Sequence, residues 1–274
     1  MRILLLILAS YSLPTLAYAE DPLSASIRKA GEVKVALASS PPYIALSPDG
    51  KTATGNVVDV INLALEGMGL PTLTPIFVAW AAMIPGLTAN QFDFVGGLTI
   101  TEARCNVVAF SAPIYAYRYA LYTLSGNPKK LRGLERIIEN SNTKLAVVTG
   151  TLSEASALKR GVKSEQLVRV TDVQAGAATV IGGRADAVLM GQFAIPNPEQ
   201  KGLQIIVDEQ GPVEGFGVVF RKEDVHFRDE FNKQLDLLRS SGIWKELYAV
   251  RYGLPNWETL AELTKASDVV PSCK

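Results

Sequence analysis

The chain has 274 residues, 48% hydrophobic and 20% charged, with 22 Gly and 15 Pro; it is too apolar for disorder and lacks the glycine period of collagen. Lys plus Arg and Asp plus Glu each number 27, so the formal net charge is zero and nothing points to a nucleic-acid partner. One His and two Cys exclude most zinc sites, which need three or four such ligands close together.

At the N-terminus, Arg2 precedes an apolar run from Ile3 to Ala9, and less regular apolar residues continue to Leu16. Ala17-Tyr18-Ala19 then places small residues at the two positions a signal peptidase reads. This order predicts a cleaved signal peptide over residues 1–19 and a secreted, periplasmic mature chain. The alternative, an uncleaved anchor, is disfavoured because the apolar core falls short of the roughly 20 residues that span a bilayer. No second stretch of that length follows, and no cysteine follows the signal core, so neither a membrane span nor a lipid anchor is expected. Export also changes how the two cysteines read. An oxidising compartment favours pairing Cys105 with Cys273, which would tie the C-terminal tail to the body. The chain-entropy gain from so long a loop is about 4–5 kcal/mol.

Past the signal, Val33 to Ala38 reads as a strand stopped by Pro41-Pro42, and Ser47-Pro48-Asp49-Gly50 as a turn. Asp59 to Met68 sets Val60, Leu63, Ala64 and Gly67 on one helical face, and Gly69 ends it. Thr72 to Val78 is a strand, Trp80 to Leu87 a short helix interrupted by Pro85, and Phe92 to Val95 a strand ending at Gly96-Gly97. The theme repeats in the middle of the chain. Strands are expected at Tyr119 to Leu124, Lys144 to Val148, Leu167 to Val170 and Ala187 to Met190. Helices are expected at Leu134 to Asn140, Ser153 to Arg160 and Gln174 to Gly183. Gly217 to Phe220 is extended, and a long amphipathic helix carries Phe227, Phe231, Leu235 and Leu238. Alternating strands and helices predict an α/β fold whose lobes are each a mostly parallel sheet flanked by helices. The expected division is residues 20–118 with 215–274 as a discontinuous first lobe, and 119–214 as the second.

Three local features can carry recognition. Arg104 follows the two glycines and Thr99, and arginine grips carboxylates with two parallel charge-assisted hydrogen bonds. On composition alone, a surface ion pair with Glu102 is the simpler role for it. Gly150-Thr151-Leu152-Ser153 joins a strand to a helix, where free N–H groups and two hydroxyls suit an anion. Plain capping by Thr151 or Ser153 is expected there as well. Rings gather near strand ends: Tyr43, Trp80, Tyr115, Tyr117 and Tyr119, of which about two of the five are expected to touch a ligand. The single His226 reads as a solvated cap. No nucleophile elbow, phosphate loop or metal-spaced acids occur, and no cofactor is expected.

On these residues the chain resembles the extracellular solute-binding proteins of family 3, the polar amino-acid receptors of ABC importers. The most specific stretch is Gly97 to Pro113, with Thr99-Ile100-Thr101-Glu102, Arg104 and Val108-Ala109-Phe110-Ser111. Supporting matches are Trp80 with Ile84-Pro85-Gly86-Leu87, Gly150-Thr151, Gly182 to Ala187, Gly217 to Lys222 and Ser241-Gly242-Ile243-Trp244. The resemblance implies a type II periplasmic binding protein fold that closes over its ligand, a membrane permease as partner and a monomeric state. It also implies that Arg104 holds a ligand carboxylate with help from Thr99, while Thr151, Ser153 and the amides beside them reach it from the second lobe. Trp80 matches a stacking ring, and the Gly97 carbonyl would accept from a ligand amine. Ser40, Tyr43 and Tyr117 complete the expected contacts.

Two departures narrow the ligand. Ordinary L-amino-acid receptors of this family place Asp five residues beyond the position of Asp186, whereas this chain has Gly191. An ammonium buried without its anion is costly, so a standard α-amino acid would need another acid such as Glu214. The whole chain looks most like ectoine and hydroxyectoine receptors, although Ser40 stands where those carry an acid and Thr99 where they favour a ring. The expected ligand is therefore a small carboxylated zwitterion, ectoine-like or an atypical amino acid. The alternative from another class is an exported enzyme similar to cyclohexadienyl dehydratases, with Glu214 or Glu102 as general acid. For an adaptor without a small ligand the sequence gives no positive sign.

Overall fold

A computed structural model describes residues 21–209, 211 and 213–273; the signal peptide expected over 1–19 lies outside the described residues. The first described element, α1 (Pro22–Ala30), has no counterpart in the sequence reading, although its signals are local. Asp21 accepts from the amides of Leu23 and Ser24 at 3.0 and 3.1 Å, and Gly31 ends the helix in the left-handed region. After β1 (Val33–Leu37) come a small hairpin of β2 (Ala45–Leu46) and β3 (Ala53–Thr54) and then α2 (Asn56–Gly67). Helix α2 begins three residues before the expected Asp59. Gly55 makes the entry possible: its φ is +123°, and a Cβ there would sit 2.3 Å from the Tyr43 carbonyl oxygen.

Strand β4 (Leu73–Phe77) leads through a 3₁₀ turn (Trp80–Ala82) into α3 (Met83–Thr88). Pro85 does not interrupt α3, because it lies in the first turn, where its missing N–H is not needed. Then come β5 (Phe94–Thr99), the single turn α4 (Glu102–Cys105) and β6 (Ala109–Tyr117). The glycines expected to end β5 lie inside it: a Cβ on Gly96 would come 2.2 Å from the Leu37 side chain. Past Arg118 the chain forms β7 (Tyr119–Leu124), α5 (Leu134–Glu139), β8 (Leu145–Val148), α6 (Leu152–Lys159), β9 (Leu167–Val170), α7 (Val173–Ile181), β10 (Ala187–Gly191) and β11 (Leu203–Val207). It returns as β12 (Glu214–Phe220) and α8 (Val225–Ser240). The C-terminal part is α9 (Ile243–Lys245) running into a π-helical turn, α10 (Trp257–Glu262) and α11 (Ala266–Val269).

Two five-stranded sheets result, in the orders β4-β1-β5-β12-β6 and β11-β7-β10-β8-β9. In each, four strands point the same way, and a single reversed strand, β12 or β7, makes the antiparallel pairings. The sheets are thus mostly parallel in direction, while half of their pairings are antiparallel. The reversed strands each adjoin a passage between the sheets, β7 after Arg118 and β12 after β11. The first lobe buries Phe94, Phe220, Phe227 and Phe231 as one ring cluster, with Phe94 centroids 5.3–6.3 Å from the other three. Phe227, Phe231 and Leu235 are the face of α8 expected from its spacing, each side chain worth about 1.5–3 kcal/mol on burial. Cys105 and Cys273 are bonded, their Cα atoms 5.3 Å apart.

Candidate functional site

Between the two sheets lies a cavity of about 590 Å³, counting the solvent at its mouth. Of the nine ligand residues expected from sequence, eight line it: Ser40, Tyr43, Trp80, Thr99, Arg104 and Tyr117 from the first lobe, Thr151 and Ser153 from the second. Gly97 does not. It lies within β5 against Tyr115, whose ring would be 3.2 Å from an added Cβ. The lining also includes Tyr119, so four of the five candidate rings reach the cavity rather than two, together with Phe216 and an aliphatic surface of Val148, Leu189, Met190 and Ala194, which local sequence patterns could not assign.

Arg104 sits in the single turn α4, where Thr101 caps its amide. Its guanidinium turns into the cleft and makes no ion pair with Glu102. One terminal nitrogen donates to the Thr99 carbonyl at 2.9 Å, the other to the Gly150 carbonyl at 3.2 Å, so the side chain spans both lobes. A guanidinium has five N–H donors, and these two contacts leave most of the fork for a carboxylate. Burial pulls the Arg104 pKa down, and the nearby hydroxyls of Tyr119, Tyr115 and Tyr117 act in the opposite direction. At arginine's starting basicity the group stays charged.

On the other side, Gly150 has φ +79°, and a Cβ there would come 2.9 Å from Ala81 of the first lobe. Neither Thr151 nor Ser153 caps α6 as expected. The Thr151 hydroxyl donates back to the Val148 carbonyl at 2.7 Å and lies 2.7 Å from the Ser153 hydroxyl, and no side chain caps the helix. The strand-to-helix bend holds Thr151 too close to the end of β8 for the usual cap. The amides at the start of α6 therefore keep their donor capacity beside the cavity, where the helix dipole favours an anion. Glu154 instead accepts from the Gly150 amide at 3.1 Å and from Arg169 at 2.7 Å, fixing the turn from behind.

One side of the wall is aromatic. Tyr43 stacks on Tyr115 at 4.3 Å, Tyr115 on Phe216 at 4.4 Å, and Phe216 meets Tyr117 at 4.4 Å. Tyr117 also lies over Gly191, and a Cβ at 191 would be 2.8 Å from the ring. The space an Asp side chain would need is filled by a phenol. Burial raises the Tyr117 and Tyr119 hydroxyls far above neutrality, so both rings stay uncharged. Among the described residues Arg104 is consequently the only charged one on the wall. Glu214, opposite Tyr117 in the β12–β6 pairing, and Glu102 both lie outside the lining. Trp80 packs against hydrophobic clusters of both lobes. Among the described residues no cluster of His, Cys, Asp and Glu could hold a metal, and no helix is long and apolar enough to cross a membrane.

Residues 33–253 match the family model of the bacterial extracellular solute-binding proteins, family 3. A probable amino-acid ABC transporter periplasmic-binding protein of Sinorhizobium fredii is 26% identical over 233 residues, covering 81% of this chain and 77% of that one. An L-arginine-binding protein of Pseudomonas aeruginosa is 26% identical over 257 residues, covering 88% and 92%. Among solved structures, EhuB in complex with hydroxyectoine superposes with a TM-score of 0.83 at 28% identity, covering 90% of this chain and 97% of that one.

Proposed function

Because the chain belongs to the bacterial extracellular solute-binding proteins, family 3, we propose that it is the periplasmic receptor of an ABC importer for a small carboxylated zwitterion. The ligand is ectoine-like or an atypical amino acid whose cation is delocalised or substituted. One observation carries this reading: the cavity pairs a single guanidinium with a ring-walled side that has no carboxylate, and Tyr117 fills the place of an acid at Gly191. A compact ammonium buried there would lose its hydration without gaining an anion. A delocalised or alkylated cation is less strongly hydrated and gains from the faces of Trp80, Tyr43 and Tyr117. The structural likeness to a hydroxyectoine complex supports the same class.

In this reading Arg104 and the start of α6 take the carboxylate from opposite lobes, and the ligand stabilises the closed form by binding it more tightly than the open one. Residues 20–118 with 215–274, and residues 119–214, act as the two jaws. The loaded monomer is presented to a membrane permease after secretion and cleavage behind Ala19. Isothermal calorimetry and thermal-shift measurements against betaines, ectoines and L-amino acids test the proposal. Heat and stabilisation are expected from an ectoine or a related cyclic or alkylated zwitterion, and little from L-arginine or L-histidine. A panel that gives no response, or a response confined to ordinary L-amino acids, overturns it.

A further inference from the structure

We propose that the Cys105–Cys273 bond is a positioning device for Arg104, fixing the turn that aims the guanidinium by bolting it to the C-terminal tail. The proposal rests on Arg104 being the ligand clasp. Helix α4 is one turn, held internally by the Cys105 amide on the Thr101 carbonyl at 2.9 Å and the Val108 amide on the Arg104 carbonyl at 3.0 Å. A single turn has almost no stability of its own, so its placement must come from what grips it.

Three grips reach the residue after Arg104. The Cys105 side chain is bonded to Cys273, whose own exposure is 2%. The Cys105 carbonyl accepts from the Lys222 ammonium at 2.6 Å. The Cys105 side chain also lies in a buried cluster with Val108, Phe110 and Val219. The tail on the far side of the disulfide is itself anchored at the start of β12. Val269 lies so close to Gly215 that a Cβ there would be 2.6 Å from it. The Gly215 carbonyl in turn accepts from the Ile100 amide at 2.9 Å, one residue beyond the Thr99 carbonyl that Arg104 grips. Turn, tail and returning strand thus form one closed circuit around the guanidinium.

The test compares the wild type with Cys105→Ser/Cys273→Ser, with hydroxyectoine as probe, at a temperature where circular dichroism shows both folded. The affinity is expected to fall roughly fivefold to tenfold, the scale of a charge-assisted contact held loosely. Trypsin should then cut after Arg104 in the variant and spare that bond in the wild type. In an Arg104→Lys background the loss on removing the disulfide should shrink, because both changes act through one interaction. Equal losses in both backgrounds would mean a general loosening of the lobe and overturn the proposal, as would unchanged affinity together with unchanged protection at Arg104. If the double variant does not fold, Lys222→Met keeps the disulfide and removes a second grip. Full affinity in Lys222→Met, with tryptic cleavage after Arg104 appearing only once dithiothreitol is added, supports the disulfide as the grip, and continued protection of Arg104 after reduction overturns the proposal. If the wild type does not bind the probe, the ectoine-like reading of the cavity fails separately, and the cleavage at Arg104 still decides the positioning role.

Discussion

The two lobes share a plan, five strands with a single reversed one, but fill it differently. The first is built around Phe94, Phe220, Phe227 and Phe231, with Trp244 and Tyr248 fully buried beside them. The second relies mainly on aliphatic side chains such as Leu121, Leu145, Val147, Val180 and Leu189. The same division reaches the cavity. The first lobe supplies the charge and most rings, while the second supplies an aliphatic surface, two hydroxyls and the start of α6. The two sides of the cavity are therefore chemically unequal.

Substitutions can break or sharpen this contrast. The largest effect is expected in the ring core, where Phe231→Ala should cost about 3–5 kcal/mol. By scanning calorimetry it should lower the transition of the first lobe and leave that of the second in place; one merged shift would mean that the cores are not independent. Next, Arg104→Ala should weaken ligand binding by at least about 2 kcal/mol, since the partner charge is left buried and unpaired. Titration calorimetry with the best compound of the panel measures it, and an unchanged dissociation constant would remove Arg104 from the site.

Gly191→Asp probes the ring-covered glycine. It should cost roughly 1–3 kcal/mol of stability by overpacking against Tyr117 and abolish the preference for ring-bound cations. With Tyr117→Ala added, binding should move toward L-amino acids with free ammonium groups, and competition titrations would show whether it does. Thr151→Val removes the hydroxyl contacts to Val148 and Ser153 and should cost about 1 kcal/mol in chemical denaturation.

The smallest effect concerns Glu214, the first residue of β12. Burial raises its pKa above the usual carboxylate value, so the folded chain holds this proton more tightly than the unfolded chain. The stability this group contributes is full below the ordinary carboxylate pKa and is lost as pH rises through the raised folded value. Glu214→Gln should therefore be more stable than the wild type at neutral pH and match it in acid. Denaturation curves across that range that stay parallel would contradict it.

Much of this architecture can be read from the chain, for identifiable reasons. Strands β1, β4, β5 and β7–β10 announce themselves by apolar runs set between turn residues. Strand β6 does not, although it is the longest. It is buried along nearly all its length, so no alternation marks it, and Pro113 sits where its register against β12 shifts. Sheet order reveals why an edge strand can be so apolar: α8 covers it, and Asn232 accepts from the Ala112 amide at 2.9 Å. At the site, composition favoured an ion pair between Arg104 and Glu102, and family likeness alone pointed inward. The deciding carbonyl, that of Gly150, lies 46 residues away. Gly191 likewise reads as a missing acid, but only packing reveals that Tyr117, far off in sequence, takes up the room.

The contact between Gly150 and Ala81 has a practical corollary. Where the jaws meet there is no space for even a methyl group, so an alanine at 150 would act as a wedge that keeps them ajar. Such a molecule could still touch its cargo with one jaw yet never complete the grip, exchanging cargo quickly and failing at handover. A single carbon atom at this seam would thus separate capture from delivery, and would turn the protein into a fast reversible sensor.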